Sequence, residues 1–103
     1  MIRRSDGQTR LHRALAASAA CHGLIVHSVT VHERPWSSAT FTGWRLTLDV
    51  AVAGGDPGDW LAALPEEDLP VPGRLVADLV VTHAAGARAT LAVLLLESGD
   101  GFG

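Results

Sequence analysis

The 103-residue sequence has one cysteine, Cys21, and no lysine. A single cysteine cannot form a disulfide within the chain, and the lack of a disulfide framework is typical of proteins in a reducing compartment. The eight basic residues are all arginine, and they accompany 16 alanines and 11 glycines, a composition typical of a GC-rich bacterial genome. We therefore predict a cytoplasmic protein.

Long apolar runs and known catalytic motifs are also missing. The longest clear apolar run, residues 91–96, is far shorter than the roughly 18 residues that span a membrane. His22, His27 and His32 are five residues apart, a spacing that aligns side chains on neither a helix nor a strand. No serine lies in a nucleophile elbow, and no glycine-rich loop matches a phosphate-binding motif. The sequence thus predicts no membrane span, no metal and no cofactor, and it favours a non-enzymatic role.

Length, charge and hydropathy favour one self-associating domain. Surface scaling for a 10.8 kDa chain gives burial of about two-thirds of the unfolded surface, enough for a single core. The mean hydropathy of +0.23 is high for so small a protein, and surplus apolar residues often lie in subunit contacts. The formal net charge of −3 disfavours nucleic acid as a partner, although residues 1–13 hold four arginines and one aspartate.

A helix is predicted near the start of the chain. Residues 1–8 are polar, and we interpret them as a flexible arm. From Thr9 onward, apolar residues that include Leu11 and Leu15 recur at spacings of three and four. Gly23 then supplies a left-handed stop, so the helix is expected to end just before it.

Alternation of apolar and polar residues predicts a first β-hairpin. Its strands are expected at residues 24–33 and 40–53. A turn at residues 36–39 pairs positions whose numbers sum to 75, so that Val31 faces Trp44. This register sorts apolar from polar residues on both strands, and the hairpin is predicted to be half-buried.

A second helix and a second hairpin are predicted in the rest of the chain. Asp56 and Pro57 are typical of a helix start. After a loop at residues 66–73, strands are expected at residues 74–82 and 88–97. Both faces of this second hairpin are largely apolar.

The predicted element order is αββαββ, in a single domain of residues 9–97 followed by a disordered tail at residues 98–103. The simplest assembly is an α+β fold, a four-stranded antiparallel sheet with both helices packed on one face. The order resembles a circular permutation of the ferredoxin-like order; this resemblance is architectural and implies no activity or residue role. Which edges of the two hairpins meet stays open.

The apolar second hairpin predicts a subunit contact. Two helices cover one face of the sheet, and a strand pair that is apolar on both faces needs a further layer. A second copy of the sheet is the most economical layer, and the alternative is cover by the tail, the 66–73 loop or the arm. The predicted interface consists of Val76, Val80, Leu91, Val93 and Leu95.

Aromatic, arginine and hydroxyl residues gather around the turn of the first hairpin. The candidate ligand- or partner-binding residues are Arg34, Trp36, Ser37, Ser38, Thr40, Phe41, Trp44 and Arg45. Aromatic rings beside arginines suit a planar or anionic ligand, or a protein partner. The alternative interpretation is a turn in which Trp44 anchors the core and the serines bond the backbone.

Two functional hypotheses follow from these features. The leading one is a small non-enzymatic α+β protein that acts as a homodimer or larger homo-oligomer in binding or assembly, with itself or another protein as partner. The alternative is a protein that binds a small anionic ligand, or a small enzyme, with a pocket at the Trp36–Arg45 hairpin. In that case Arg45 is expected to hold the anion, and His32 is the candidate for proton transfer.

Overall fold

The computed structural model describes residues 6–97, with side chains described except at positions 6, 7 and 28–30. Its elements are α1 (Asp6–Ala20), β1 (Ile25–Ser37), β2 (Thr42–Ala53), α2 (Gly58–Ala63), β3 (Arg74–Ala85) and β4 (Arg88–Glu97), with a 3-10 turn at Leu64–Glu66. The prediction of an α+β protein with an antiparallel sheet is confirmed. Residues 6–8 of the predicted arm belong to α1, whereas residues 1–5 and the predicted tail at 98–103 lie outside the described residues.

The two hairpins join through their second strands. The strand order is β1-β2-β4-β3, and each neighbouring pair is antiparallel. Since β2 and β3 both run antiparallel to β4, they are parallel to each other with β4 between them. Helix α2 connects them, which makes this half of the fold a split β-α-β unit. The structure thereby settles the edge pairing that the sequence left open.

One face of the sheet carries the core and both helices. The buried cluster unites Leu11 and Leu15 of α1 and Trp60 and Leu61 of α2 with Leu46, Leu48, Val50, Leu91, Val93 and Leu95 of the central strands. Burial of each such side chain contributes about 1.5–3 kcal/mol. The 66–73 loop also packs on this side, because Leu69 and Val71 are buried in the same cluster. Arg10 of α1 fixes the loop by donating a hydrogen bond of 2.7 Å to the carbonyl of Pro72.

A polar contact lies inside this core. Ser18 is 5 % exposed, and its hydroxyl accepts a hydrogen bond of 2.8 Å from the indole Nε1 of Trp60. The same hydroxyl donates a hydrogen bond of 2.6 Å to Oε1 of Glu67. Both polar groups of the buried pair are therefore satisfied, and the three residues connect α1 to α2 and to the loop that follows it.

The register of the first hairpin differs from the prediction. Strand β1 continues through Pro35, which an edge strand tolerates, and the turn lies at residues 38–41 instead of 36–39. Val31 is opposite Leu48, and Trp44 is opposite Pro35. A bulge between residues 28 and 30 also shifts the alternation of β1.

Most residues of the predicted subunit interface lie in the core of the single chain instead. Leu91, Val93 and Leu95 are at most 2 % exposed, because the helices cover the face of β4 on which they lie. Val76 is half-buried and packs against the same core. Val80 is 44 % exposed and lies on the opposite face. A bulge in β3 between Val76 and Asp78 separates the two valines, which simple alternation had placed together.

Candidate functional site

The second face of the sheet, which we call the open face, has no helix over it in the described part of the chain. Cross-strand pairing orders its residues into rows that run from β1 to β3. The first three rows are Trp36, Gly43, Leu96 and Leu75; Arg34, Arg45, Leu94 and Asp78; and His32, Thr47, Ala92 and Val80. A further row consists of Asp49 on β2, Thr90 on β4 and His83 on β3. Because strand residues alternate between faces, these positions share one surface.

In its first three rows, the β3 and β4 half of the open face is apolar except at Asp78. Leu75 is 55 % exposed and Val80 is 44 % exposed, and Leu94 between them is half-buried. Leu96 extends this apolar surface along β4 and is only 6 % exposed. A contiguous apolar patch that is exposed on a small protein is a candidate interaction surface.

A concave trough of about 400 Å³ crosses the open face. Its lining includes His32, Arg34, Arg45, Thr47, Asp78 and Leu94. The β1 side of the trough is therefore rich in basic groups, whereas its β3 side ends at a carboxylate. The volume lies within the range of about 300–1,000 Å³ that small-molecule sites occupy.

Arg34 and Arg45 lie directly opposite each other on β1 and β2. Both are exposed, and neither forms an ion pair or a side-chain hydrogen bond with any described side chain. Like charges that face each other across two strands destabilise a sheet. Asp78 is two strands away from Arg45, about 10 Å across the sheet, so it does not pair with that arginine in the same chain. Among the described residues, the arginine pair thus has no acidic partner.

The candidate residues predicted around the hairpin turn do not all lie on one face of the sheet. Arg34, Trp36 and Arg45 share the open face, and Trp36 is half-buried there. Trp44 lies on the core face instead, where the guanidinium of Arg74 stacks over its ring at 5.2 Å. The arginine pair therefore belongs to one site, and Trp44 has the structural role of the alternative interpretation.

The remaining hairpin residues form an exposed turn. Ser37, Ser38, Thr40 and Phe41 are exposed, and Phe41 retains 50 % of its accessible surface. The Ser38 amide donates to the carbonyl of Phe41 at 2.8 Å, and the Ser38 hydroxyl accepts from the amides of Thr40 and Phe41. Ser38 thus bonds the backbone of the turn, in agreement with the alternative interpretation of this segment as a structural turn.

Asp78 and Leu94 are parts of the site that are not among the candidate residues selected from the sequence. Their position beside the arginines depends on the pairing of β2 with β4, which brings Arg45 next to Leu94. No alternation pattern within a single hairpin shows this long-range pairing. Asp78 itself gives a weak signal in the sequence, as the one carboxylate in an otherwise apolar strand.

The described residues contain no cluster of possible metal ligands and no helix that could cross a membrane. Among the described side chains, no three histidine, cysteine, aspartate or glutamate residues lie together as possible metal ligands. Neither described helix is long and apolar enough to cross a membrane. Comparison with models of protein families, with curated proteins and with solved structures finds no match to this chain.

Proposed function

We propose that the protein is a homo-oligomeric binding or assembly module whose copies associate through the open face. The observation that carries the proposal is the exposure of Leu75 and Val80 on a sheet face that no described helix or loop covers. A second copy is the simplest partner for such a face, because a two-fold interface brings the same surface from both copies together. Burial of apolar area then supplies about 25 cal/mol per Å².

The charges on the open face support one particular arrangement of two copies. Face-to-face sheets keep their strands nearly aligned. A two-fold axis parallel to the strands places β1 of one copy over β3 of the other, so that each row faces the same row reversed. Arg34 then faces Asp78 of the second copy, and Trp36 faces Leu75 of the second copy. At both edges of the dimer, an arginine therefore faces a carboxylate, and a tryptophan ring faces an apolar side chain.

The other aligned arrangement mismatches the charges. A two-fold axis perpendicular to the strands places β1 over β1 and reverses the order of the rows. If that axis passes through the middle of the trough, Arg34 faces His32 of the second copy, and Asp78 faces Val80. The β1 edge that carries Arg34 and His32 then faces the same edge of the second copy, and the Asp78 carboxylate faces an apolar side chain. Burial of that carboxylate without a charged partner costs free energy of desolvation. The axis parallel to the strands is therefore favoured.

The size of the open face is close to the lower limit for a specific dimer interface. Four strands at a spacing of about 4.8 Å and nine paired residues at about 3.4 Å give a face of about 600 Å² per copy. Two copies bury about 1,200 Å² in total, at the lower end of the range of specific interfaces. The concave centre of the face adds less contact than its edges.

An exposed thiol supports the cytoplasmic location that we propose for this module. Cys21 is exposed and forms no disulfide in the structure. Such a thiol stays unpaired under reducing conditions, whereas oxidation joins copies through an intermolecular disulfide. Mass measurements therefore include a reductant, which separates association through the open face from cross-linking through Cys21.

Light scattering coupled to size exclusion tests the proposal. The wild type is expected to have at least twice the 10.8 kDa chain mass. Val80→Asp places a carboxylate in the apolar half of the open face and is expected to reduce the mass to that of one chain. Phe41→Asp, at an equally exposed apolar residue of the hairpin turn, is the matched control and should leave the mass unchanged. A wild type that has the mass of one chain at every concentration contradicts the proposal.

The trough supports a second candidate function, the binding of a small anion by a single copy. Its specific observation is the facing pair of Arg34 and Arg45, which no acidic side chain in the described residues neutralises. Guanidinium groups bind carboxylates and phosphates through paired hydrogen bonds. A single chain that binds one equivalent of inorganic phosphate without a change in mass would favour this function over self-association.

A further inference from the structure

We infer that the two troughs of the dimer close into one chamber, which binds a single small dianion between the Arg45 side chains of both copies. The ligand class is a compact group with two negative charges, such as a phosphate or a short dicarboxylate. The inference rests on the proposed function, since the chamber exists only when two open faces meet.

Sheet geometry places the two Arg45 residues at a common centre. With the axis parallel to the strands, the β2 strands of the two copies lie on either side of it, about 4.8 Å apart laterally. The sheets are about 10 Å apart, so the two Arg45 Cα atoms are separated by about 11 Å. Two arginine side chains can both reach a small ligand across this distance.

The chamber carries an uncompensated positive charge. Arg34 of each copy is matched by Asp78 of the other, whereas Arg45 faces the apolar side chain of Leu94. Asp49 is four residues along β2, about 14 Å from Arg45. It also accepts a hydrogen bond of 2.8 Å from the hydroxyl of Thr90.

Glu33, which also borders the trough, does not supply the missing charge either. It lies on the core face, where its Oε1 accepts a hydrogen bond of 2.5 Å from Gln8 of α1. Closure of the dimer therefore encloses the Arg34 and Arg45 guanidinium groups of both copies with the two Asp78 carboxylates as the only acidic groups of the described residues in that row, which leaves two positive charges in excess. An unpaired buried charge is costly, so the closed dimer favours an anion that neutralises both arginines.

The donors in the chamber define the ligand. Each copy supplies the fork of Arg45 and the hydroxyl of Thr47, one row away on the same strand. Guanidinium forks match the paired oxygens of carboxylates and phosphates. Each trough contributes about 400 Å³, which leaves room for a small molecule and ordered water. Two-fold symmetry predicts one dianion for two chains.

Isothermal titration of inorganic phosphate and of malonate into the wild-type protein tests the inference. The expected result is a stoichiometry of one anion for two chains, and tighter dimerisation when the anion is present. Arg45→Gln is expected to weaken binding by about tenfold or more, while the protein stays dimeric by light scattering. Arg13→Gln, at an exposed arginine of α1 outside the open face, is the matched control and should bind as the wild type does.

The outcomes separate this inference from the function on which it rests. A wild type with the mass of one chain overturns both. A dimer that binds neither anion, or that binds them equally well after Arg45→Gln, overturns the chamber alone. One anion per chain also overturns the chamber, because a shared site cannot hold one ligand for each copy.

Discussion

Reversal of the charge at Asp78 perturbs the proposed dimer at both of its edges. In the arrangement with the axis parallel to the strands, Asp78 of each copy faces Arg34 of the other. Asp78→Arg therefore replaces two attractive contacts by two repulsive ones. Both residues are exposed in the single chain, so neither supports the fold from the core.

The size of the effect follows from the exposure of these residues. An exposed ion pair contributes about 0.5 kcal/mol, and a like-charge pair costs a similar amount. Each reversed contact thus costs about 1 kcal/mol, and the two symmetric contacts cost about 2 kcal/mol. This free energy weakens the dimer dissociation constant by about 30-fold. Salt should reduce the difference, since both contacts lie at the solvent-exposed rim.

Sedimentation equilibrium over a dilution series measures this change. Asp78→Arg and Arg34→Asp are each expected to weaken self-association by about 30-fold. An equimolar mixture of the two variants should form a heterodimer of nearly wild-type affinity, because both contacts become complementary. The double variant should dimerise with itself for the same reason. If neither the mixture nor the double variant recovers affinity, the arrangement of the two copies is wrong.

Two further predictions concern the fold of the single chain. Ser18→Ala leaves the buried Nε1 of Trp60 without its partner and should lower the free energy of unfolding by about 2 kcal/mol. For a chain of this length that corresponds to a fall in Tm of about 9 °C by calorimetry, and an unchanged Tm refutes the role of the hydroxyl. Gly43→Ala should cost more than about 2 kcal/mol in urea unfolding, since its Cβ would lie 2.1 Å from the Leu95 carbonyl oxygen. Gly58→Ala, at the start of a helix, is its control: the added Cβ would lie 3.3 Å from the exposed Asp56 side chain, which can move aside, so the cost should be under about 1 kcal/mol. Equal effects of the two substitutions would contradict the close approach at Gly43.

Periodicity in the sequence is sufficient to locate the helices and strands. Leu11 and Leu15 mark the buried face of α1, and Asp56-Pro57 precedes α2. The first turn of α1, from Asp6, has no apolar residue that faces the core, so no pattern distinguishes it from a polar arm. Secondary structure is therefore predictable where burial imposes a period, and less so at element ends.

Register and face assignment are harder to predict. The even-numbered apolar residues of β2 face the core as expected. The alternation of side chains between the two faces of a strand does not depend on which strand pairs with it. In β1 the bulge near residue 29 reverses the parity, and Val26 is buried in place of Ile25. In β4 the odd-numbered and the even-numbered residues are both largely apolar. The alternation along the strand therefore does not show that Leu91 lies on the face that the helices cover.

The candidate site was predictable in part. Arg34 and Arg45 were expected to act together, and the structure places them opposite each other. The other half of the site, Leu94 and Asp78, comes from β4 and β3, and the central β2–β4 pairing joins it to the arginines. Such a pairing between strands that are distant in sequence depends on how the two hairpins dock, which local patterns do not encode.

Nuclear Overhauser contacts between isotope-labelled and unlabelled copies, recorded with an isotope filter, test most directly whether the open face is the contact surface. We expect intermolecular contacts from the methyl groups of Leu75 to the ring of Trp36, and from those of Val80 to the ring of His32. Contacts confined to α1, α2 or the hairpin turn would contradict this expectation, as would the absence of any intermolecular contact at concentrations well above those of the mass measurement.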